Sequence, residues 1–177
     1  ADGFSAFAPA TDVASAAVLV GRSDSGVLGL ELADDVLVKA YAVEIGSVWS
    51  MQGVPPPAGA GRSILVAREG GVLIDPLEGW VGFLDGQAGT WTRRGPELGQ
   101  PLSAPPGALD LDADGVLDAV AATGDTLRGA CSEDDALVSC LDAPLTGTPE
   151  SIAVQDGVVF VATADAGLWA YVLGACA

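Results

Sequence analysis

Four segments of the chain share one pattern: three or four small or β-branched apolar residues, a small residue, a short polar turn, then a second apolar stretch. They read AVLVGRSDSGVLGLEL from Ala17, SILVAREGGVLIDPL from Ser63, LDAVAATGDTLRGAC from Leu117 and VVFVATADAGLWAYVL from Val158. Aligned on the small residue, Gly21, Ala67, Ala122 and Ala162 stand 46, 55 and 40 residues apart. An interval of that size holds several strands. Self-similarity at this scale constrains the fold strongly, because one small unit cannot bury its faces and must stack on the next.

The runs are short, bounded by Gly and Asp, and never hold a 3.6-residue period, so the chain reads as all-β. The third unit divides into four strands, ALDLD, LDAVAAT, TLRGACS and ALVSCLDA. A leading strand SIAVQ at Ser151 meets VVFVAT through Asp156-Gly157, a hairpin signal. Trailing strands start at Val36 (VLVKAYAVEI) and Gly89 (GTWTRRG). Proline-rich stretches, GVPPPAGAG from Gly53 and GQPLSAPPGA from Gly99, read as loops between units, since proline lacks the ladder donor. Four-stranded sheets at this interval predict a single domain over 1–177, a small β-propeller of about four four-stranded blades. A β-sandwich or an open β-repeat array are the alternatives. The last unit reads one strand short, and GFSAFAPA near the N-terminus is predicted to supply its outer strand, within the chain or to a neighbouring molecule.

Twenty-four acidic residues stand against six arginines and Lys39, a net charge of -17. Nucleic acid and anionic lipid surfaces both require a basic patch, so neither is a partner. No apolar run approaches the ~20 residues that would insert into a membrane. The chain has no histidine and no asparagine, which excludes Ser-His-Asp and Cys-His catalysis, histidine metal ligands and N-linked glycosylation sequons. Cys131 and Cys140 flank the acidic turn SEDDALVS and are placed to form a disulfide across a hairpin, with reduced apolar thiols as the alternative. A disulfide suits an oxidising compartment and predicts a secreted or cell-surface location. Cys176 is left over, free or available to link chains.

The densest chemistry lies in DLDADGVLD, residues 110–118. Calcium takes 6 to 8 oxygen ligands, and carboxylates at alternate positions before a glycine-permitted turn converge on one ion. Asp110, Asp112 and Asp114 occupy positions 1, 3 and 5, Gly115 position 6, Val116 position 7 and Asp118 position 9; Ala121 stands at position 12, where an EF-hand places its bidentate glutamate. A strand follows in place of a helix. D-x-D-x-D-G-x-x-D leading into a strand resembles the calcium loop of FG-GAP and VCBS-type repeats, which are propeller blades. The resemblance implies that the loop joins the first two strands of a blade, with calcium held by Asp110, Asp112, Asp114 and Asp118 and a main-chain oxygen of Val116. The competing reading is a surface Asp-Gly turn in a chain with 17 aspartates.

Glu133 to Asp135 and Asp34-Asp35 read as solvated turns. Trp91, beside Arg93 and Arg94, is a candidate for stacking on a sugar, against the alternative of packing between blades; Trp169 and Tyr171 read as core or inter-blade. The chain is therefore expected to be a non-enzymatic, calcium-stabilised module that binds a protein or glycan ligand or self-associates. A lectin, a filament subunit and a carboxylate-dependent hydrolase are the other candidates.

Overall fold

The computed structural model describes residues 4–8, 17–22, 26–44, 48, 50–54, 63–68, 80–85, 89–98 and 100–172. Its regular structure is all β, with fifteen strands that fall in chain order into four meanders. The first holds β1 (Phe4–Ala8), β2 (Ala17–Arg22), β3 (Gly26–Ala33) and β4 (Val36–Glu44). The second holds β5 (Ser50–Val54), β6 (Ser63–Arg68), β7 (Trp80–Asp85) and β8 (Thr90–Glu97). The third holds β9 (Leu102–Leu109), β10 (Asp118–Thr123), β11 (Thr126–Glu133) and β12 (Ala136–Pro144). The fourth holds β13 (Pro149–Gln155), β14 (Val158–Thr163) and β15 (Gly167–Val172). Neighbours within each meander are antiparallel, and a single parallel bridge, Ala136 with Arg94, joins β12 to β8.

The repeat seen in the sequence is this meander. Gly21, Ala67, Ala122 and Ala162 each stand fifth in the second strand of their unit, so the small-residue alignment recovered the structural register. Turn chemistry also follows the residues. Asp34 and Asp35 close the β3–β4 hairpin with φ of 49° and 63°, and Asp156-Gly157 closes β13–β14 with 50° and 75°. Both central residues in the left-handed region match the right-handed twist of the flanking strands.

First strands of successive units lie side by side, β1 against β5, β5 against β9 and β9 against β13. Three buried clusters fill the seams so formed. Val27, Val48, Val66 and Leu84 lie between the first and second units; Leu65, Phe83, Leu102 and Ala119 between the second and third; Val120, Leu127, Val159 and Val161 between the third and fourth. The second strands of the middle units serve two seams at once. On β10, Ala119 and Ala121 face the second unit while Val120 and Ala122 face the fourth, and all six residues of the strand are buried. Burial on both faces explains why these strands read as unbroken apolar runs instead of alternating ones.

Of the prolines after Gly99, only Pro101 lies in the connection between units: Pro105 and Pro106 lie inside β9. The register passes from Val120↔Gly107 to Ala122↔Ala104, so the two prolines together oppose Ala121 in a β-bulge on an edge strand, where a missing N–H leaves no ladder bond broken. The stretch from Gly53 starts in β5 and leads to its partner β6, so it runs within the second unit; its residues 55–61 lie outside the described residues. GFSAFAPA does not complete the last unit. Its Phe4–Ala8 pairs with β2, Phe7 opposite Val20, as the leading strand of the first unit, because a sequence neighbour closes at lower entropic cost than a distant one. Trp169 is not core: it is 40% exposed on the edge strand β15, whereas Tyr171 is half-buried against the third seam.

Candidate metal centre

The loop 110–117 joins β9 to β10, the first two strands of the third unit. Its base is closed twice. Asp118 opposes Leu109 in the ladder, and the Asp118 Oδ2 accepts the amide of Leu111 at 2.7 Å. Leu111 is itself buried and plugs the loop onto β11 at Gly129, where a side chain would put Cβ within 2.8 Å of the Leu111 Cδ1. Above this anchor the chain turns through Ala113 (φ 65°) and Gly115 (φ 86°). Glycine is the residue that enters this region without a Cβ penalty.

The turn wraps backbone amides around its own carboxylates. Asp110 accepts from Asp114 N at 3.1 Å and Gly115 N at 3.0 Å; Asp112 accepts from Asp114 N at 3.2 Å; Asp114 accepts from Val116 N at 2.7 Å. One carboxylate oxygen from each of Asp110, Asp112 and Asp114 falls within 4.8 Å of the others. Asp110 and Asp114 are exposed, while Asp112 and Val116 are half-buried. Three oxygens this close are a ligand set that a hard cation can bridge.

Asp118 is set apart. It is fully buried, and its oxygens accept from Leu111 N and from Ser132 N, each at 2.7 Å. Burial pushes its carboxyl above the usual range, the two backbone bonds pull it back, and the charge of Asp112 pushes it up again. Asp118 also groups with Asp112 and Cys131, each with a potential ligand atom within 4.8 Å, but Cys131 Sγ is already bonded. Asp118 is thus first a strut that ties the loop to β11.

A residue that sequence reasoning missed completes the centre. Arg93 on β8 is buried, stacks its guanidinium 4.5 Å from the Phe83 ring, and donates to the carbonyl of Leu117 at 2.9 Å and to Ser132 Oγ at 2.6 Å. Ser132 Oγ in turn donates to the same Leu117 carbonyl at 2.9 Å. Desolvation lowers the pKa of Arg93, and the carboxylates of Asp118 and Asp114 raise it. One cation of the second unit therefore holds the end of the acidic loop in the third. Period-two alternation would put Arg93 on the face of Trp91, but the register steps over Thr92, from Leu84↔Trp91 to Phe83↔Arg93, so Trp91 packs in the first seam and Arg93 turns to the second. Nor does anything in TWTRRG name a partner 24 residues away.

Cys131 and Cys140 form the predicted disulfide, with Cα atoms 5.7 Å apart. The two are not directly opposite: Cys131 faces Val138, and Cys140 is the extra residue where the register steps from Gly129↔Leu141 to Ala130↔Ser139. Glu133, Asp134 and Asp135 form the exposed turn of that hairpin, as Asp34 and Asp35 do in the first unit. Trp91 is half-buried against the first seam beside Tyr41 and Val43. Cys176 lies outside the described residues.

No family model matches the chain, and no curated protein matches it. Among solved structures it is similar to the computationally designed Ika4 protein, with 12% identity, a TM-score of 0.66, and coverage of 97% of this chain and 92% of that one. It is also similar to the computationally designed Ika8 protein, again with 12% identity and a TM-score of 0.61. That match covers 98% of this chain and 46% of the other, so the chain spans about half the length of Ika8. At such identities the likeness is one of fold alone, and it extends over all four meanders.

Proposed function

We propose that the chain is a secreted or surface-exposed, non-enzymatic β-propeller of the FG-GAP/VCBS kind, stabilised by calcium at residues 110–118 and used for binding or assembly. The propeller reading is supported by four consecutive meanders whose first strands lie side by side and by a structural likeness that spans the whole chain. The disulfide supports an oxidising location, where free calcium is also abundant enough to fill a modest site.

The observation that carries the reading is the convergence of Asp110, Asp112 and Asp114 between the first two strands of a four-stranded unit. Calcium would be held by these carboxylates, with Asp118 and the Val116 carbonyl completing the set. The ion supplies charge neutralisation: it relieves repulsion among neighbouring carboxylates and fixes a turn on which the second and third units both lean. Calcium at a hundredfold excess over its dissociation constant adds about 2.7 kcal/mol to a protein that binds it only when folded, or a rise in Tm of roughly 5–10 °C for a chain of this size. Chelation should remove that increment, and Asp112→Ala, which takes the central carboxylate, should melt at one temperature with or without calcium. Identical melting of the unaltered protein in calcium and in chelator would sink the calcium reading.

A further inference from the structure

Among the described residues, the large apolar side chains that the fold leaves in water are confined to the two end units. They are Leu32 and residues 36–38 on the β3–β4 hairpin, and Leu168, Trp169 and Val172 on β15. Val36 is 60% exposed, Leu168 70% and Val172 79%. Both groups lie on open edges, since neither β4 nor β15 has a hydrogen-bonded neighbour on its outer side among the described strands.

The middle units treat their outer strands differently. β8 carries Arg94, Pro96 and Glu97, β12 carries Asp142 and Pro144, and the two bridge one another through Arg94 and Ala136. Charge and proline are the usual guards of a sheet edge. β15 (GLWAYV) has neither, and β4 (VLVKAYAVE) has no proline and only Lys39 and Glu44. Proline-free edges keep every backbone donor available for pairing.

The fourth unit also states what its edge accepts. In each of the first three units the third strand is covered by an antiparallel fourth strand of eight or nine residues. With that cover, seven of the eight residues of β11 are buried or half-buried; without it, only Tyr171 of β15 is.

We infer that β4 of one copy of the chain pairs antiparallel with β15 of the next, filling the fourth-strand position of the last unit and joining molecules head to tail. A β15–β15 pair would close a two-fold dimer but leave the β3–β4 patch in water; the β4–β15 pair buries both. Charge is least opposed to the same contact. Copies that each carry -17 repel one another, but the edges brought together are near neutral, with no charged residue on β15 and Lys39 offset by Glu44 on β4, so this contact adds no repulsion of its own. Because the pairing surfaces differ, the contact is heterologous, so each copy offers one edge to a further copy and assembly runs beyond a single pair, into a ring where the rotation closes and an open chain where it does not. This deepens the assembly part of the reading above and is independent of its calcium part.

The test is a complementation experiment on the full chain at fixed calcium, read as mass by sedimentation across a range of concentrations. Leu37→Glu spoils β4 and Leu168→Glu spoils β15; both sites are exposed, and Val38→Glu with Val172→Glu forms a second pair should either variant melt early. The unaltered protein should grow in average mass with concentration. Each variant alone should stay monomeric, and an equimolar mixture of the two should recover a one-to-one pair and nothing larger. A monomer at every concentration, growth that survives both substitutions, a mixture that stays monomeric, or a Leu37→Glu variant that still dimerises would each overturn the inference. None of these results bears on calcium binding, which the melting experiment decides separately.

Discussion

Arg93 and Asp118 show how two buried charges are tolerated in a small β fold. Neither touches water appreciably, and each is satisfied by groups from the loop 110–117 and from other strands: Asp118 by the amides of Leu111 and Ser132, Arg93 by the Leu117 carbonyl, Ser132 Oγ and the Phe83 ring. A buried partner left alone costs more than the pair contributes, because the orphan keeps its desolvation penalty. Arg93→Met keeps much of the stem but removes the donors. It is expected to cost roughly 1–3 kcal/mol in denaturant unfolding, by removing the charged donor to Leu117 and Ser132 and leaving the Leu117 carbonyl with Ser132 Oγ alone. Arg93→Lys should recover only part, since a single ammonium lacks the planar face that lies on Phe83. A loss under about 0.5 kcal/mol for Arg93→Met would mean that the latch between the second and third units is dispensable.

At the scale of elements, the hairpin β11–β12 carries the disulfide whose position the sequence made visible: two cysteines either side of an acidic turn. The bridge closes a short loop, with nine residues of separation, so chain-entropy arguments assign it about 2–3 kcal/mol. Replacing both cysteines by alanine should lower unfolding free energy by that amount, while singly reduced and alkylated protein behaves alike. An unchanged denaturation midpoint would show the hairpin held by packing alone. Strand existence, hairpin turns at 34–35 and 156–157, and the place of the acidic loop were legible because each depends on local chemistry. What was illegible depended on partners. A proline pair reads as a loop until β10 is seen to accommodate it as a bulge, and GFSAFAPA reads as a spare strand until β2 is seen to claim it. Likewise, VVFVAT on β14 resembles SILVAR on β6, although β6 is packed on both faces and β14 fully on one. Alternation cannot tell a strand between two units from a strand at the end of a row.

For the whole molecule, three apolar seams between four meanders provide the packing, and acidic charge of -17 works against it. Self-repulsion of that size destabilises the compact state and raises the local concentration of cations near it, most of all where aspartates cluster. The fold therefore places its densest carboxylate group at a joint that a divalent ion can tighten, next to the Arg93 latch. Direct evidence is the calcium content of the folded chain, measured by elemental analysis after exhaustive dialysis against buffer with trace calcium. The account predicts one calcium per chain in the unaltered protein and none retained by Asp112→Ala at matched concentration. Calcium retained equally by both, or by neither, would contradict it.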